Sequence, residues 1–103
     1  MFEITRDDAG TIQLRGRFDA AQVTRAKEVF SLVDDSCEVD FSELSYISSA
    51  GLGLLFATQK RLVDRGGALT LTNLNPHIRE VFRIAGFDHI FEIGTSEGGQ
   101  RTG

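Results

Sequence analysis

Two consecutive serines near the middle of the chain, Ser48 and Ser49, are the side chains best placed to carry chemistry. They follow a short apolar segment and precede a periodic apolar run that begins with Leu52, Leu55 and Phe56. A serine in this position is typical of a helix N-terminus, because its hydroxyl accepts hydrogen bonds from free first-turn N–H groups. The same N–H groups and the helix dipole favour negative charge, so a phosphate is also stable there. The pair predicts a helix cap, a site of modification, or both.

The predicted helix has an unusual first turn, because it contains Gly51 and Gly53. Each glycine costs roughly 0.8–1 kcal/mol relative to alanine in a helix interior. Such a cost at a strand-to-helix turn indicates a surface that another molecule approaches closely. Within the same turn, Leu52 is predicted to be a core residue and Leu54 to be exposed.

Composition limits the classes of protein to which the chain can belong. With 103 residues, 41% hydrophobic and 25% charged, it is predicted to form one ordinary globular domain. The net charge of −4 and the absence of a basic cluster argue against nucleic acid and anionic membranes as partners. The single cysteine, Cys37, is predicted to be buried, and it fits a reducing compartment. No signal-like segment or long apolar run is present, so we expect a cytoplasmic protein without membrane insertion.

Apolar periodicity predicts five strands and three helices in the order β-β-α-β-α-β-α-β. The helices begin after Asp19, Ser48 and Asn75, with Pro76 at the first position of the last helix. Asp19 is predicted to form a capping box with Gln22. The fold class is therefore α/β, a mixed four- to five-stranded sheet with helices packed on it. The domain is predicted to span residues 1–93, followed by a flexible glycine-rich tail at 94–103. The predicted strands cover residues 2–4, 11–15, 37–41, 68–72 and 87–93.

Right-handed crossovers place the strand-to-helix turns at one edge of such a sheet, where partners usually dock. Asp19 is explained equally well as a plain cap, whereas Asp40 is explained better as a turn residue than as a ligand. The residues expected at this edge are Phe18, Asp19, Asp40, Ser42, Ser48, Ser49, Gly51, Leu52, Gly53, Leu54, Asn73 and Asn75.

Enzyme chemistry is the weaker interpretation of the same residues. A serine hydrolase would join Ser49 to His77 and to Asp40 or Asp19, but no G-x-S-x-G elbow surrounds the serine. The chain also lacks a metal-ligand spacing and a phosphate-binding loop. We therefore expect no enzyme, no metal and no cofactor.

Several segments point to a known family. DFS at 40–42, followed by YISSAGLG at 46–53, resembles the signature of the STAS domain of anti-sigma factor antagonists and sulfate-transporter tails. Segments 16–19, 65–69 and 75–87 are similar to further family segments in the same order. The resemblance covers roughly Phe2 to Ile93, which is nearly the whole chain.

The resemblance implies an anti-sigma factor antagonist, also called an anti-anti-sigma factor. Such a protein binds an anti-sigma factor serine kinase with a histidine-kinase-like ATPase fold and thereby frees the sigma factor. The kinase phosphorylates one serine at the start of the second helix, the complex dissociates, and a serine phosphatase restores the unmodified protein. Aligned on Gly51-Leu52-Gly53, the acceptor is Ser49, while the family's Asp falls on Ser48 and its second serine or threonine on Ala50. Ser48 is a second candidate acceptor.

A second interpretation keeps the fold and changes the partner. The same domain would serve as a phosphorylation-independent scaffold or adaptor in a signalling or lipid-transport assembly, because fold alone does not select a function. In either case we expect a monomer or a weak dimer.

Overall fold

Strands and helices alternate in the predicted order in the computed structural model, which describes residues 1–94. Two short 3₁₀ turns, Ala20–Gln22 and Phe87–His89, are additional to the prediction. The predicted tail lies outside the described residues, except for Gly94, which ends the last strand. The strands are β1 (Phe2–Arg6), β2 (Ile12–Phe18), β3 (Cys37–Ile47), β4 (Leu69–Thr72) and β5 (Glu92–Gly94). The helices are α1 (Val23–Phe30), α2 (Ser49–Asp64) and α3 (Pro76–Ile84).

The five strands form one mixed sheet in sequential order, β1-β2-β3-β4-β5. The β1–β2 pair is antiparallel, and the three following pairs are parallel. Each helix therefore connects two neighbouring parallel strands in the same direction, and right-handed crossovers place all three helices on one face. This arrangement confirms the predicted α/β class and its mixed sheet.

The core lies between that face and the helices. Cys37, Val39 and Phe41 of β3 are buried, while Glu38 and Asp40 are half-buried on the opposite face. Burial also raises the pKa of the Cys37 thiol, despite the opposing charge of Arg6. The sheet is thus apolar beneath the helices and polar on its open face, as expected for a two-layer domain.

Strand β3 is longer than predicted, because it continues past Phe41 to Ile47. Its pairing with β2 contains two irregularities, and in each of them β3 carries one residue more than β2. The first makes Ser42 and Glu43 consecutive exposed residues, which interrupts the alternation expected of a strand. Gly16 also belongs to a strand, since it lies inside β2 and not after it.

Helix α1 begins later than predicted, and its C-terminal end is bonded to α2. Asp19 caps the 3₁₀ turn by accepting a hydrogen bond from the Ala21 amide, and α1 begins only at Val23, so the predicted capping box with Gln22 does not form. At the other end, the Arg61 guanidinium donates to the carbonyls of Phe30 and Val33, both at 2.9 Å. These bonds join α2 to the last residue of α1 and to the turn that follows it.

Helix α2 lies across β3 and β4 and is held by a buried amide. Gln59 donates from Nε2 to the Ile90 carbonyl at 2.8 Å and accepts at Oε1 from the Leu69 amide at 2.7 Å. Phe56, predicted to lie on the apolar face, is 41% exposed, and Val63 of the same helix is 54% exposed. The buried stripe is therefore narrower than the apolar pattern suggested.

Helix α3 has the predicted boundaries. Asn75 accepts from the Ile78 amide at 2.8 Å, Pro76 is the first helical residue, and Gly86 follows the helix in the left-handed conformation. Ala85, the C-cap of the helix, is exposed. Phe87 lies in the 3₁₀ turn, so the last strand is shorter than predicted.

Candidate functional site

The two serines occupy different positions at the start of α2. Ser48 is the N-cap, and its hydroxyl accepts a hydrogen bond from the Gly51 amide at 3.1 Å. Ser49 is the first helical residue and is exposed. The amides of Ser49 and Ala50 lie in the first turn, where no intrahelical acceptor exists. The hydroxyl of Ser49 is therefore accessible next to unsatisfied N–H groups, while that of Ser48 is already used as a cap.

The capping role of Ser48 is one that an acidic residue could also perform. Serine and aspartate are both strong N-cap residues, because each presents an oxygen to the N2 or N3 amide. Ser48 performs this task here without a negative charge.

The two glycines of the first turn have different surroundings. A Cβ on Gly51 would lie 3.0 Å from Cγ1 of Ile47 and 3.3 Å from the ring of Phe18, so internal packing disfavours a larger residue there. A Cβ on Gly53 would meet no atom within 4 Å. Nothing in residues 1–94 explains the absence of a side chain at position 53, and the exposed helix surface is flat there only in the sense that Gly53 carries no side chain.

Leu52 and Leu54 are both partly buried and packed against the core. The predicted contrast, with Leu52 in the core and Leu54 exposed, is therefore wrong. They lie on opposite flanks of α2, because consecutive helical residues differ by about 100° and these two differ by about 200°. Leu54 lines a cleft between α1 and α2 with Phe30 and Arg61.

The turn after β2 supports the start of α2. The carbonyl of Phe18 accepts from the Ser48 amide at 2.9 Å, which brings Asp19 close to the two serines. The Phe18 ring is fully buried and stacks on Phe2 at 4.8 Å. Phe18 therefore supports the N-terminus of α2 from the core side. Because its ring is buried, the prediction that it contacts a partner is wrong. We call the exposed and half-buried residues at this end the Ser49 surface: Asp19, Ser48, Ser49, Leu52 and Gly53.

A second group of predicted residues lies at the end of β4. Asp40 accepts from the Ser42 amide at 2.9 Å and from Nδ2 of Asn73 at 3.1 Å. Because β4 ends opposite Asp40 while β3 runs on to Ile47, this group lies roughly 20 Å along the strand from the Ser49 surface. The prediction that all three strand-to-helix turns converge on one rim therefore holds only for the turns after β2 and β3.

Asn75 lies between the two groups. Its Nδ2 donates to the carbonyl of Leu44 at 3.2 Å, and its Oδ1 caps α3. The Asn75 side chain therefore bonds β3 at a position beyond its pairing with β4, which ends at Asp40. Its role here is to join α3 to β3.

Asp40 is held in its charged form. Burial alone would raise the pKa of its carboxyl, but hydrogen bonds from Asn73 and Ser42 and the charge of Arg15 outweigh burial and lower the pKa. A carboxyl whose pKa is lower in the folded state stabilises the fold above its unfolded pKa of about 3.9. That contribution is lost as the pH falls through the lower, folded value.

Asp40→Ala is therefore expected to lower the free energy of unfolding by about 1–2 kcal/mol at pH 7, the scale of hydrogen bonds to a charged group. The difference from the unmodified protein should shrink as the pH falls below about 4. Urea unfolding at several pH values measures both effects. Asp34→Ala removes an exposed carboxylate and serves as the control; an equal loss in both variants would contradict this role for Asp40.

The described residues do not assemble a hydrolase. No hydrogen bond joins Ser49 to His77 in residues 1–94, and the carboxylates of Asp19 and Asp40 are bonded to backbone amides and to Asn73. Within the same residues, no group of three His, Cys, Asp or Glu side chains is arranged to hold a metal ion. None of the helices described is long and apolar enough to cross a membrane.

A sequentially ordered mixed sheet with three helices on one face and a serine-capped central helix defines a small α/β domain of the STAS type. Residues 2–93 match the family described as "Mlab, STAS domain". The chain belongs to the STAS-domain family, as the resemblance predicted.

Named relatives agree with this assignment. The anti-sigma-B factor antagonist of Bacillus subtilis is 33% identical over 93 residues, which cover 85% of this chain and 84% of that protein. BtrV of Bordetella bronchiseptica is 47% identical over 58 residues, 56% of this chain but only 50% of BtrV. The phosphorylated form of the Bacillus cell fate determinant SpoIIAA has the same fold, with a TM-score of 0.68, 24% identity and 96% coverage of both chains.

Proposed function

We propose that this protein is an anti-sigma factor antagonist whose complex with an anti-sigma factor is switched off by phosphorylation of Ser49. The observation that carries the proposal is an exposed serine hydroxyl in the first turn of α2, in a chain of the STAS family. The name of the Bacillus subtilis relative, an anti-sigma-B factor antagonist, supports the partner class. The partner would be a serine kinase with a histidine-kinase-like ATPase fold.

The chemical step transfers the γ-phosphoryl group of ATP to Oγ of Ser49. The hydroxyl loses its proton, the O–P bond forms, and ADP leaves. Ser49 is the better acceptor of the two serines because Ser48 is half-buried and its oxygen is bonded to the Gly51 amide. A serine phosphatase would hydrolyse the ester and restore the hydroxyl.

A phosphate on Ser49 is expected to affect the free protein and the complex differently. A phosphate carries about −1.5 to −2 charge at neutral pH, and the free first-turn amides and the helix dipole favour it. The fold should therefore tolerate the modification. A partner packed on the Ser49 surface would have to remove water from that charge, and an uncompensated buried charge costs several kcal/mol.

The test combines the purified protein with each candidate anti-sigma factor of the same organism and Mg-ATP. We expect one phosphate on Ser49 by mass spectrometry, and loss of the complex by size-exclusion chromatography as the phosphate accumulates. Ser49→Ala is the control and should form the complex without releasing it. Phosphate on Ser48 alone, or a complex that persists after Ser49 is modified, would contradict the proposal.

A stable complex in which no serine is modified would favour the scaffold alternative. The flat surface at Gly53 is compatible with that function also, because it concerns docking and not phosphorylation.

A further inference from the structure

An exposed aromatic side chain lies on the same flank of α2 as Ser49. Ser49 and Phe56 are separated by seven residues, two helical turns, so their side chains project from the same side about 10 Å apart along the axis. Leu52 and Gly53 lie between them on this flank. The Ser49 surface is therefore continuous with Phe56.

Phe56 is held in place although it is exposed. Its ring is stacked on that of Phe87, with the centroids 5.7 Å apart and the planes 24° apart. Phe87 in turn contacts Phe82 and Phe91, which are buried, at 6.2 and 6.0 Å. Phe56 nevertheless remains 41% exposed. A fixed apolar ring that faces solvent loses little conformational entropy when a partner covers it.

Within residues 1–94, the ring contact recorded for Phe56 is the one with Phe87, and the ring keeps an exposed side. Residues 95–103 contain no large apolar side chain. Fixed aromatic side chains near the centre of an interface are the ones that contribute most to binding.

We infer that Phe56, supported by Phe87, is an apolar anchor of the anti-sigma factor interface, and that it receives an aliphatic or aromatic side chain of that partner. This inference rests on the proposed function. It places the anchor two turns from the Ser49 switch, with the flat helix surface at Gly53 between them. The partner would contact Phe56 and pass over Gly53 while it covers the hydroxyl of Ser49.

The test measures binding of Phe56→Ser to the same anti-sigma factor by isothermal titration calorimetry. We expect the Kd to rise at least tenfold, with an unchanged far-ultraviolet circular dichroism spectrum. Leu32→Ser is the control because Leu32 is 72% exposed and follows α1; its Kd should stay within twofold. A Kd for Phe56→Ser within twofold of the unmodified protein would overturn the inference.

A second measurement does not depend on the variant folding. In the unmodified complex with a methyl-labelled anti-sigma factor, nuclear Overhauser contacts should join the Phe56 ring protons to partner side-chain protons. Their absence in a formed complex would also overturn the inference. If Phe56→Ser dissociates a dimer of this protein in sedimentation and leaves partner binding unchanged, the ring serves self-association and the inference is wrong.

The two proposals fail in different ways. If Ser49→Asp abolishes binding while Phe56→Ser does not affect it, the switch stands and only the anchor is wrong. If no anti-sigma factor of the organism binds the unmodified protein, the proposed function and the anchor both fall.

Discussion

Ser49→Asp is expected to weaken the complex with the anti-sigma factor at least about 100-fold, which corresponds to about 2.7 kcal/mol of binding free energy. The added carboxylate would lie in the first turn of α2, at an exposed position that the partner is proposed to cover. A partner that covers this carboxylate must remove its bound water, and the favourable interaction with the helix dipole offsets only about 0.3–1 kcal/mol of that cost at an exposed site. The fold should be unaffected, because the same dipole favours the charge in the free protein.

Ser49→Ala is the matched control, since it removes the hydroxyl without adding charge. Its Kd should remain within about threefold of the unmodified value. Isothermal titration calorimetry gives both constants, and thermal unfolding reports on the fold. Equal affinity of the Asp and Ala variants, with both folded, would show that charge at this position does not control binding.

Gly51→Ala is expected to lower the free energy of unfolding by about 1–2 kcal/mol. The new methyl group would lie 3.0 Å from Cγ1 of Ile47 and 3.3 Å from the Phe18 ring, and overpacking of this kind typically costs about 1–3 kcal/mol. Part of that cost is offset because alanine favours a helix more than glycine does. Urea unfolding measures the difference.

Gly53→Ala is the matched variant two residues further along, and the expected sign is opposite. A Cβ there meets no atom within 4 Å, so the free protein should gain about 0.5–1 kcal/mol from helix propensity. Binding should nevertheless weaken about tenfold if the partner approaches the flat surface. A stabilised variant with unchanged Kd would show that Gly53 is not part of the interface.

The order of the elements and their caps could be predicted from the sequence because these signals are local. Asn75 and Pro76 mark the start of α3, and Ser48 marks the start of α2, through bonds that span only three residues. The sequence also placed the serine pair at the helix N-terminus. What it could not show is which hydroxyl is used for capping, since that depends on the exact first helical residue.

Long-range contacts account for most of the errors. The alternating pattern predicted that β3 ends at Phe41, but an extra residue relative to β2 interrupts the alternation within a strand that continues to Ile47. Arg61, in the last turn of α2, bonds carbonyls 28 and 31 residues away, which no local pattern indicates. The length of β3 beyond β4 likewise separates Asp40 and Asn73 from the serines. Each of these facts depends on pairing between distant segments, which periodicity does not report.

The buried amide of Gln59 limits how far α2 can move when Ser49 is modified. Gln59 joins α2 to β4 and to the segment before β5. It lies ten residues from Ser49, which is about 15 Å along the helix. A helix fastened in this way has little freedom to slide or rotate when its far end gains a charge. A phosphate on Ser49 would then act through its direct contact with the partner, and not through a conformational change transmitted through the sheet.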